Sequence, residues 1–240
     1  MARFLSSNKG VRNNRAPLFV LRYSIIMKRN YQLEMEDVIA NLPNDGKKPT
    51  LLLHACCGPC SSAVIERLAR TFDITIYYYN PNIHPQAEYE RRLDELRKFI
   101  AVFPDSVKNG VKLVVDSYNP EDYFSATNVR AEPELKTEPE KGERCRRCYE
   151  FRMRKSFGFA SENGFDFFTT TLSISPHKDS EKINKIGRDL ESESPSSKTK
   201  FLPSDFKKKG GFLRSTQLSD EFGLWRQDYC GCVFSKENRS

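Results

Sequence analysis

Short apolar runs alternate with longer stretches of helical periodicity along this chain. Leu33, Met35, Val38, Ile39 and Leu42 recur at the spacing of one helix face over 31–42, and Asn44-Asp45-Gly46 breaks the pattern. Leu51-Leu52-Leu53 reads as a short buried strand. Ser61 or Ser62 is placed to cap a helix running to about Arg70, with Val64, Ile65 and Leu68 on one face. Ile74 to Tyr79 reads as a second strand, ended by Asn80-Pro81-Asn82, and residues 87–102 as a strongly charged amphipathic helix. Val111 to Val115 follows as a third strand. A helix over 142–162 is closed by Asn163-Gly164, Phe165 to Thr170 is a fourth strand, and 177–190 another helix. Residues 191–200, ESESPSSKTK, read as a polar loop.

Strands alternating with helices predict an α/β fold, a parallel sheet with flanking helices and right-handed crossovers. In such sheets ligands sit beyond the carboxyl ends of the strands. That places the loop after Leu53 and the loop after Thr171 at the site, and both are rich in reactive residues.

Composition narrows the partners. Hydrophobic residues make up 38% and charged residues 30% of the 240-residue chain, a globular rather than disordered balance. No apolar stretch approaches the ~20 residues that span a bilayer, and the longest, Leu18 to Met27, is interrupted by Arg22, so no membrane partner is expected. The net charge of +7 suggests nucleic acid, but residues 1–30 hold seven basic side chains and no acid, leaving 31–240 formally neutral. An RNA reading therefore rests on two local patches. Residues 141–155 carry seven basic and two acidic side chains, and 198–214 carry six basic residues against Asp205 alone. A solvated charged face is the competing reading of each. The Arg-rich, acid-free residues 1–26 read as an upstream extension or a misassigned start rather than a targeting peptide, and 27–240 as a single α/β domain.

The seven cysteines are the strongest signal. Cys56, Cys57 and Cys60 lie in His54-Ala55-Cys56-Cys57-Gly58-Pro59-Cys60, Cys145 and Cys148 form C-x2-C, and Cys230 and Cys232 form C-x-C. Nothing suggests secretion, so a cytoplasmic location is expected and a disulfide framework is not. Structural zinc takes four thiolates or imidazoles, which Cys145, Cys148, Cys57 and Cys60 together would satisfy. A thiol oxidoreductase would use Cys57-x2-Cys60 at a strand-to-helix turn. An iron–sulfur cluster takes four thiolates at irregular spacing. Ordinary core cysteines would not pair up in a Gly-Pro loop.

The segments HACCGPC, NPNIHPQAEYERR, RCRRCYEFR, TTTLSISPHKD, FLPSDFKKKGGFLRS and GLWRQDYCGCVFS together resemble the cobalamin-independent epoxyqueuosine reductases, from about Asn30 to Ser235. The resemblance implies an adenine-nucleotide alpha-hydrolase-like (HUP-type) fold with a cysteine-bearing C-terminal segment. It implies a [4Fe–4S] cluster, no cobalamin, and a further iron beside the cluster. Carried onto this sequence, Cys56, Cys57, Cys145 and Cys148 are the expected cluster ligands, Cys60 a ligand of the second iron, and Cys230 with Cys232 a redox-active pair. Some members have an acidic residue where this chain has Cys60. A C-x-C disulfide closes a very small ring and is expected to be easily reduced.

The implied reaction is two-electron deoxygenation of a cyclopentane epoxide to an alkene in the wobble nucleotide of tRNA, with an unidentified electron donor. It requires electron relay, a Lewis acid or proton donor for the departing oxygen, and a positioned substrate. His54, His177, Asp179 and Tyr229 are candidate proton donors or positioning groups, whereas His84 reads as structural. Lys207, Lys208, Lys209 and Arg214, with Phe206 and Phe212 interleaved, fit a phosphate-and-stacking surface for RNA. Arg146, Arg147, Arg152 and Arg154 are placed to lead the anticodon loop inward. Two other classes compete. An ATP-dependent tRNA sulfurtransferase would carry an SGG-x-DS-like loop after the first strand, where this chain has CCGPCSS. A zinc-stabilised RNA-binding module would be colourless and without turnover.

Overall fold

Residues 29–237 are described by the computed structural model; the extension 1–26, the start at Met27 and the apolar stretch Leu18 to Met27 lie outside the described residues. Among the described residues, β1 (Thr50–His54), β2 (Asp73–Tyr78), β3 (Lys112–Val115), β4 (Phe167–Thr170) and β5 (Lys200–Phe201) form one sheet in the order β3-β2-β1-β4-β5. Every pairing is parallel. The helices are α1 (Tyr31–Ala40), α2 (Gly58–Leu68), α3 (Gln86–Val102), α4 (Pro104–Lys108), α5 (Pro120–Thr127), α6 (Glu143–Glu162), α7 (Ser180–Glu193), α8 (Gly211–Glu221) and α9 (Val233–Glu237). None is long and apolar enough to cross a membrane.

Alternation along the strands divides the core into two layers. Leu51, Leu53, Ile74, Ile76 and Tyr78 face one side, where Val64, Leu68, Leu96 and Phe99 of α2 and α3 cover them. Leu52, Tyr77 and Phe168 face the other, against Met153 and Phe157 of α6 and Ile183, Ile186 and Leu190 of α7. The expected parallel α/β sheet is thus present, with helices on both faces. The chain runs β1 to β3 in one direction and returns to build β4 and β5 on the other side of β1. The reversal between β1 and β4 is a topological switch point, and the crevice outside its carboxyl ends is where such sheets bind ligands.

Several expected boundaries shift for local reasons. Neither Ser61 nor Ser62 caps α2: Cys57 does, Gly58-Pro59 forms the first turn, and both serine hydroxyls are buried on the carbonyls of Cys57 and Pro59. His177 does not begin a helix; a 3-10 turn (Thr171–Ile174) follows β4, and α7 starts at Ser180 behind an Asp179 cap. The loop expected over 191–200 is shorter, because α7 runs to Glu193 and Lys200 is already in β5.

Candidate metal and substrate site

The carboxyl end of β1 delivers His54 and then the cysteine loop. The Cys57 backbone is extended (φ −172°), and its Sγ accepts from the Cys60 N–H at 3.3 Å. Behind it α2 and α3 pack closely: a Cβ on Gly58 would meet the Glu95 carbonyl oxygen at 3.0 Å. These contacts bring the sulfurs of Cys56, Cys57 and Cys60 within 4.8 Å of one another, a group of soft donors able to hold a metal. Hydrogen bonds from Cys57 and Cys60, with Lys178 and Arg152 nearby, hold the Cys56 thiol well below its ordinary range. Burial and the neighbouring sulfurs push Cys57 up, and the contact with Cys56 pushes Cys60 up to about 12.

Cys145 and Cys148 sit in the first two turns of α6, both buried. Burial raises both, Cys148 to about 11, and the charge of Cys230 adds to each. Cys232 packs with Cys148 in an apolar group that includes Tyr123, Leu135 and Phe234. Burial and Cys230 push it up to about 12. All seven cysteines are free.

Two buried cations face these sulfurs. The Lys178 Nζ lies 3.4 Å from the Cys230 Sγ. Burial works against its charge, but Cys230, Cys56 and Cys60 raise its pKa above the ordinary value. Arg152 donates from Nε to the Cys148 carbonyl at 3.4 Å and from Nη1 to Asn80 Oδ1 at 3.3 Å, while its Nη2 has no partner. Among the described residues neither has a carboxylate partner. Burial opposes the Arg152 charge too, and Cys148, Cys230 and Cys56 outweigh it.

The C-terminal segment is tied back over the sheet's carboxyl edge. Buried Arg92, paired with Glu88 at 2.7 Å, donates to the carbonyls of Cys230 and Tyr229, each at 3.1 Å. Gly231 adopts φ +114°, and a Cβ there would lie 2.9 Å from the Arg92 Nη1, so this turn excludes side chains. The Gly231 carbonyl accepts from the His84 N–H at 2.8 Å, and the Tyr229 hydroxyl donates to the His84 carbonyl at 2.9 Å. Gln227 Nε2 donates to Cys57 Sγ at 2.9 Å and lies 3.5 Å from Cys60 Sγ. Between the cysteine loop, the segment after β4 and this returning strap lies a cavity of about 190 Å³, lined by Cys56, Cys60, His177, Lys178, Gln227 and Cys230, among others.

Other sequence candidates take varied places. His54 is enclosed between Thr170 and Tyr79. His177 lines the cavity, largely exposed, with Nδ1 3.8 Å from Glu140. The Asp179 carboxylate caps α7, accepting from the N–H groups of Glu181 and Lys182. The 141–155 patch is not a field of free cations. Arg146 pairs with Glu143 and Glu150, Arg147 with Glu132 and Glu143, and Arg154 with Glu150 and Glu193. Arg152 is core, which removes it as a guide for RNA. In the second patch Lys207 pairs with Asp205, Lys209 with Glu36 and Arg214 with Glu66. Phe206 is a core residue packed among Leu202 and Leu218 and cannot stack on a base, whereas Phe212 is 39% exposed and lines the cavity.

Lys178, Gln227 and Arg92 were not singled out from sequence. Lys178 and Gln227 adjoin chemically rich segments, SPHKD and WRQDYC, which is the one signal that marks them; Arg92 lies inside a charged helix that hides it.

The fold and the thiol group define a doubly wound α/β protein with a cysteine centre suited to metal at its switch point. A family model described as Epoxyqueuosine reductase QueH matches residues 51–238. The chain is 40% identical over 208 residues to the epoxyqueuosine reductase QueH of Streptococcus pyogenes serotype M1, covering 87% of this chain and 78% of that one. It is 38% identical over 208 residues to that of Staphylococcus epidermidis, covering 87% and 85%. With that of Thermotoga maritima it shares 33% over 190 residues, covering 78% and 90%. The chain belongs to the epoxyqueuosine reductase QueH family.

Proposed function

We propose that this chain reduces epoxyqueuosine to queuosine at the wobble position of tRNA, in the cytoplasm, without cobalamin. The carrying observation is the convergence of three thiols within 4.8 Å of one another, two of which, Cys56 and Cys60, line a cavity at the switch point of the sheet. Two electrons and two protons remove the epoxide oxygen as water and leave an alkene.

The residues suit an iron–sulfur centre. Cysteine-ligated clusters carry net negative charge, and buried Lys178 and Arg152, which lack carboxylate partners among the described residues, are suited to balance it. Cys56, Cys57, Cys145 and Cys148 would hold a [4Fe–4S] cluster, and Cys60 would contribute to a second iron. When bound, these would supply one-electron transfer and a Lewis acid for the epoxide oxygen. Cys230 and Cys232 would store an electron pair as a dithiol that oxidises to a disulfide and is reset by an external donor. Lys178 and His177 border the cavity and are, with Tyr229, the candidates to hand a proton to the departing oxygen. RNA approaches through Phe212 and the strap, where the Arg226 guanidinium lies 5.6 Å from the Phe212 ring and Arg91 lies 3.6 Å from the Trp225 ring.

The test is anaerobic incubation of the iron-loaded protein with epoxyqueuosine-containing tRNA and a reductant, with nucleosides measured by mass spectrometry. Conversion to queuosine without cobalamin is expected, together with visible absorption that is lost in Cys145→Ala or Cys148→Ala. An iron-replete protein that leaves epoxyqueuosine unchanged would overturn the reading. ATP-dependent sulfur incorporation into tRNA would replace it with a sulfurtransferase.

A further inference from the structure

The cavity wall holds a carboxylate that is fixed in place and has one oxygen open. Glu140, in the loop before α6, lines the same cavity as Cys56, Cys60 and Lys178. The loop is pinned by buried Arg144, whose guanidinium donates to the carbonyls of Leu135, Lys136 and Glu138 and whose N–H donates to the Glu138 carboxylate at 2.7 Å. The head group is pinned as well. Oε1 of Glu140 accepts from the Ser235 hydroxyl at 2.9 Å, and that hydroxyl accepts from the Cys230 N–H at 3.1 Å, so its one proton is committed to Glu140. Oε2 has no donor: His177 Nδ1 lies 3.8 Å away, beyond hydrogen-bond distance. The side chain is 29% exposed, so this oxygen is open to a ligand rather than enclosed. Among the described residues no lysine or arginine pairs with Glu140, whereas Glu132, Glu143, Glu150 and Glu193 around α6 each hold an arginine.

We propose that Glu140 binds the secondary ammonium of the substrate, the nitrogen that joins the deazaguanine base to the epoxide-bearing ring. This rests on the functional reading above and adds a specificity determinant to it. The charge of the carboxylate decides which part of the substrate it takes. The epoxide oxygen has no hydrogen to offer. The base N–H groups and ring hydroxyls are neutral donors, whereas the amine is a secondary alkylamine, cationic at neutral pH, and makes the stronger, charge-assisted bond to a carboxylate. It is the only group of epoxyqueuosine that carries positive charge. Guanosine at the same position has no such group, so the contact separates modified from unmodified tRNA. The nitrogen is bonded directly to the ring. Holding it on the wall that Glu140 shares with Cys56 and Cys60 keeps the ring in the cavity of the thiols.

Two anticodon stem-loop RNAs that differ only in the wobble base, one with aminomethyl-deazaguanine and one with cyano-deazaguanine, share everything but the ammonium. Their affinities are measured for the anaerobic, iron-loaded protein and for two variants. Glu140→Gln keeps the shape and the acceptor toward Ser235 and removes the charge. Asp228→Asn discharges an exposed carboxylate that also lines the cavity but is not held there by a hydrogen bond. The wild type is expected to prefer the aminomethyl RNA. In Glu140→Gln that preference should fall about tenfold, the loss of one hydrogen bond between charged groups. Asp228→Asn should leave it largely intact, because an exposed, unfixed charge is screened. An unchanged preference in Glu140→Gln overturns the proposal. Equal losses in the two variants overturn it as well, since the attraction would then be diffuse. A Glu140→Gln protein that fails to fold or to take up iron also overturns it, because the carboxylate would then serve the fold or the metal site. Wild-type protein that converts epoxyqueuosine without preferring the aminomethyl RNA sinks this proposal alone, whereas wild-type protein that never converts epoxyqueuosine sinks the functional reading beneath it.

Discussion

His54 illustrates how burial decides between chemistry and support. Its Nδ1 lies 2.8 Å from the Thr170 hydroxyl and its Nε2 3.2 Å from the Tyr79 carbonyl. Burial, helped by the Arg152 charge, pushes its pKa down to about 3. The imidazole is therefore neutral, with Nε2–H donating to the carbonyl and Nδ1 accepting the hydroxyl. Both nitrogens are occupied in clamping the ends of β1, β2 and β4 at the switch point, which points to a structural role. His54→Ala should leave a carbonyl and a hydroxyl unsatisfied beside a cavity and destabilise the fold by about 2–4 kcal/mol in denaturant unfolding. Unaltered stability would return His54 to the pool of proton donors. The cysteines were legible in the sequence because three clustered groups of a rare residue carry their own statistics. Gln227 and Lys178 were not, since one amide or one lysine in a polar loop has no period and no spacing; only burial against sulfur distinguishes them.

At the scale of elements, periodicity served the buried helices and strands best. The triple leucine of β1 and the apolar faces of α6 and α7 are fixed by which side of the sheet they cover, so their hydrophobic spacing announced them. The α4 and α5 helices were missed because they are one or two turns long, too short for a period to accumulate. The two-residue β5 is set by pairing with β4 rather than by its own sequence. Charge patterns were the least legible, because a run of lysines does not reveal its counter-ions. In the 207–209 run, Lys207 lies 2.5 Å from Asp205 and Lys209 2.5 Å from Glu36, while no side-chain partner is described for Lys208. Each phosphate contact released contributes about 0.7 to the slope of log affinity against log salt for single-stranded RNA. Lys208→Ala is expected to reduce that slope by about this amount in tRNA binding, and Lys207→Ala or Lys209→Ala by clearly less. Equal effects of all three would mean that RNA breaks both ion pairs on binding.

Across the whole molecule, strands, helix termini and the C-terminal strap deliver two cations and seven cysteines to one edge of the sheet. Burying a charge without a partner costs several kcal/mol, so Lys178 and Arg152 are tolerable only if the sulfurs around them are anionic. In the metal-free protein that balance is incomplete. Cys56 is held low, while Cys57, Cys60, Cys145 and Cys148 are all pushed up, so the two cations face several sulfurs that resist ionisation. A bound thiolate-ligated metal centre reverses the imbalance by converting several thiols to anionic ligands. Lys178→Met should accordingly have opposite effects on the two forms. It should stabilise the metal-free protein by about 1–3 kcal/mol, a rise of several degrees in melting temperature for a chain of this size. In the loaded protein it should weaken iron retention against a chelator and lower the reduction potential, because a positive neighbour has been removed from an anionic centre. Thermal unfolding of both forms, with iron release followed by visible absorption, reads the crossover directly. A variant that is equally destabilised with and without metal would mean that Lys178 is held for its packing, and that the sulfur-rich edge is balanced by Arg152 alone.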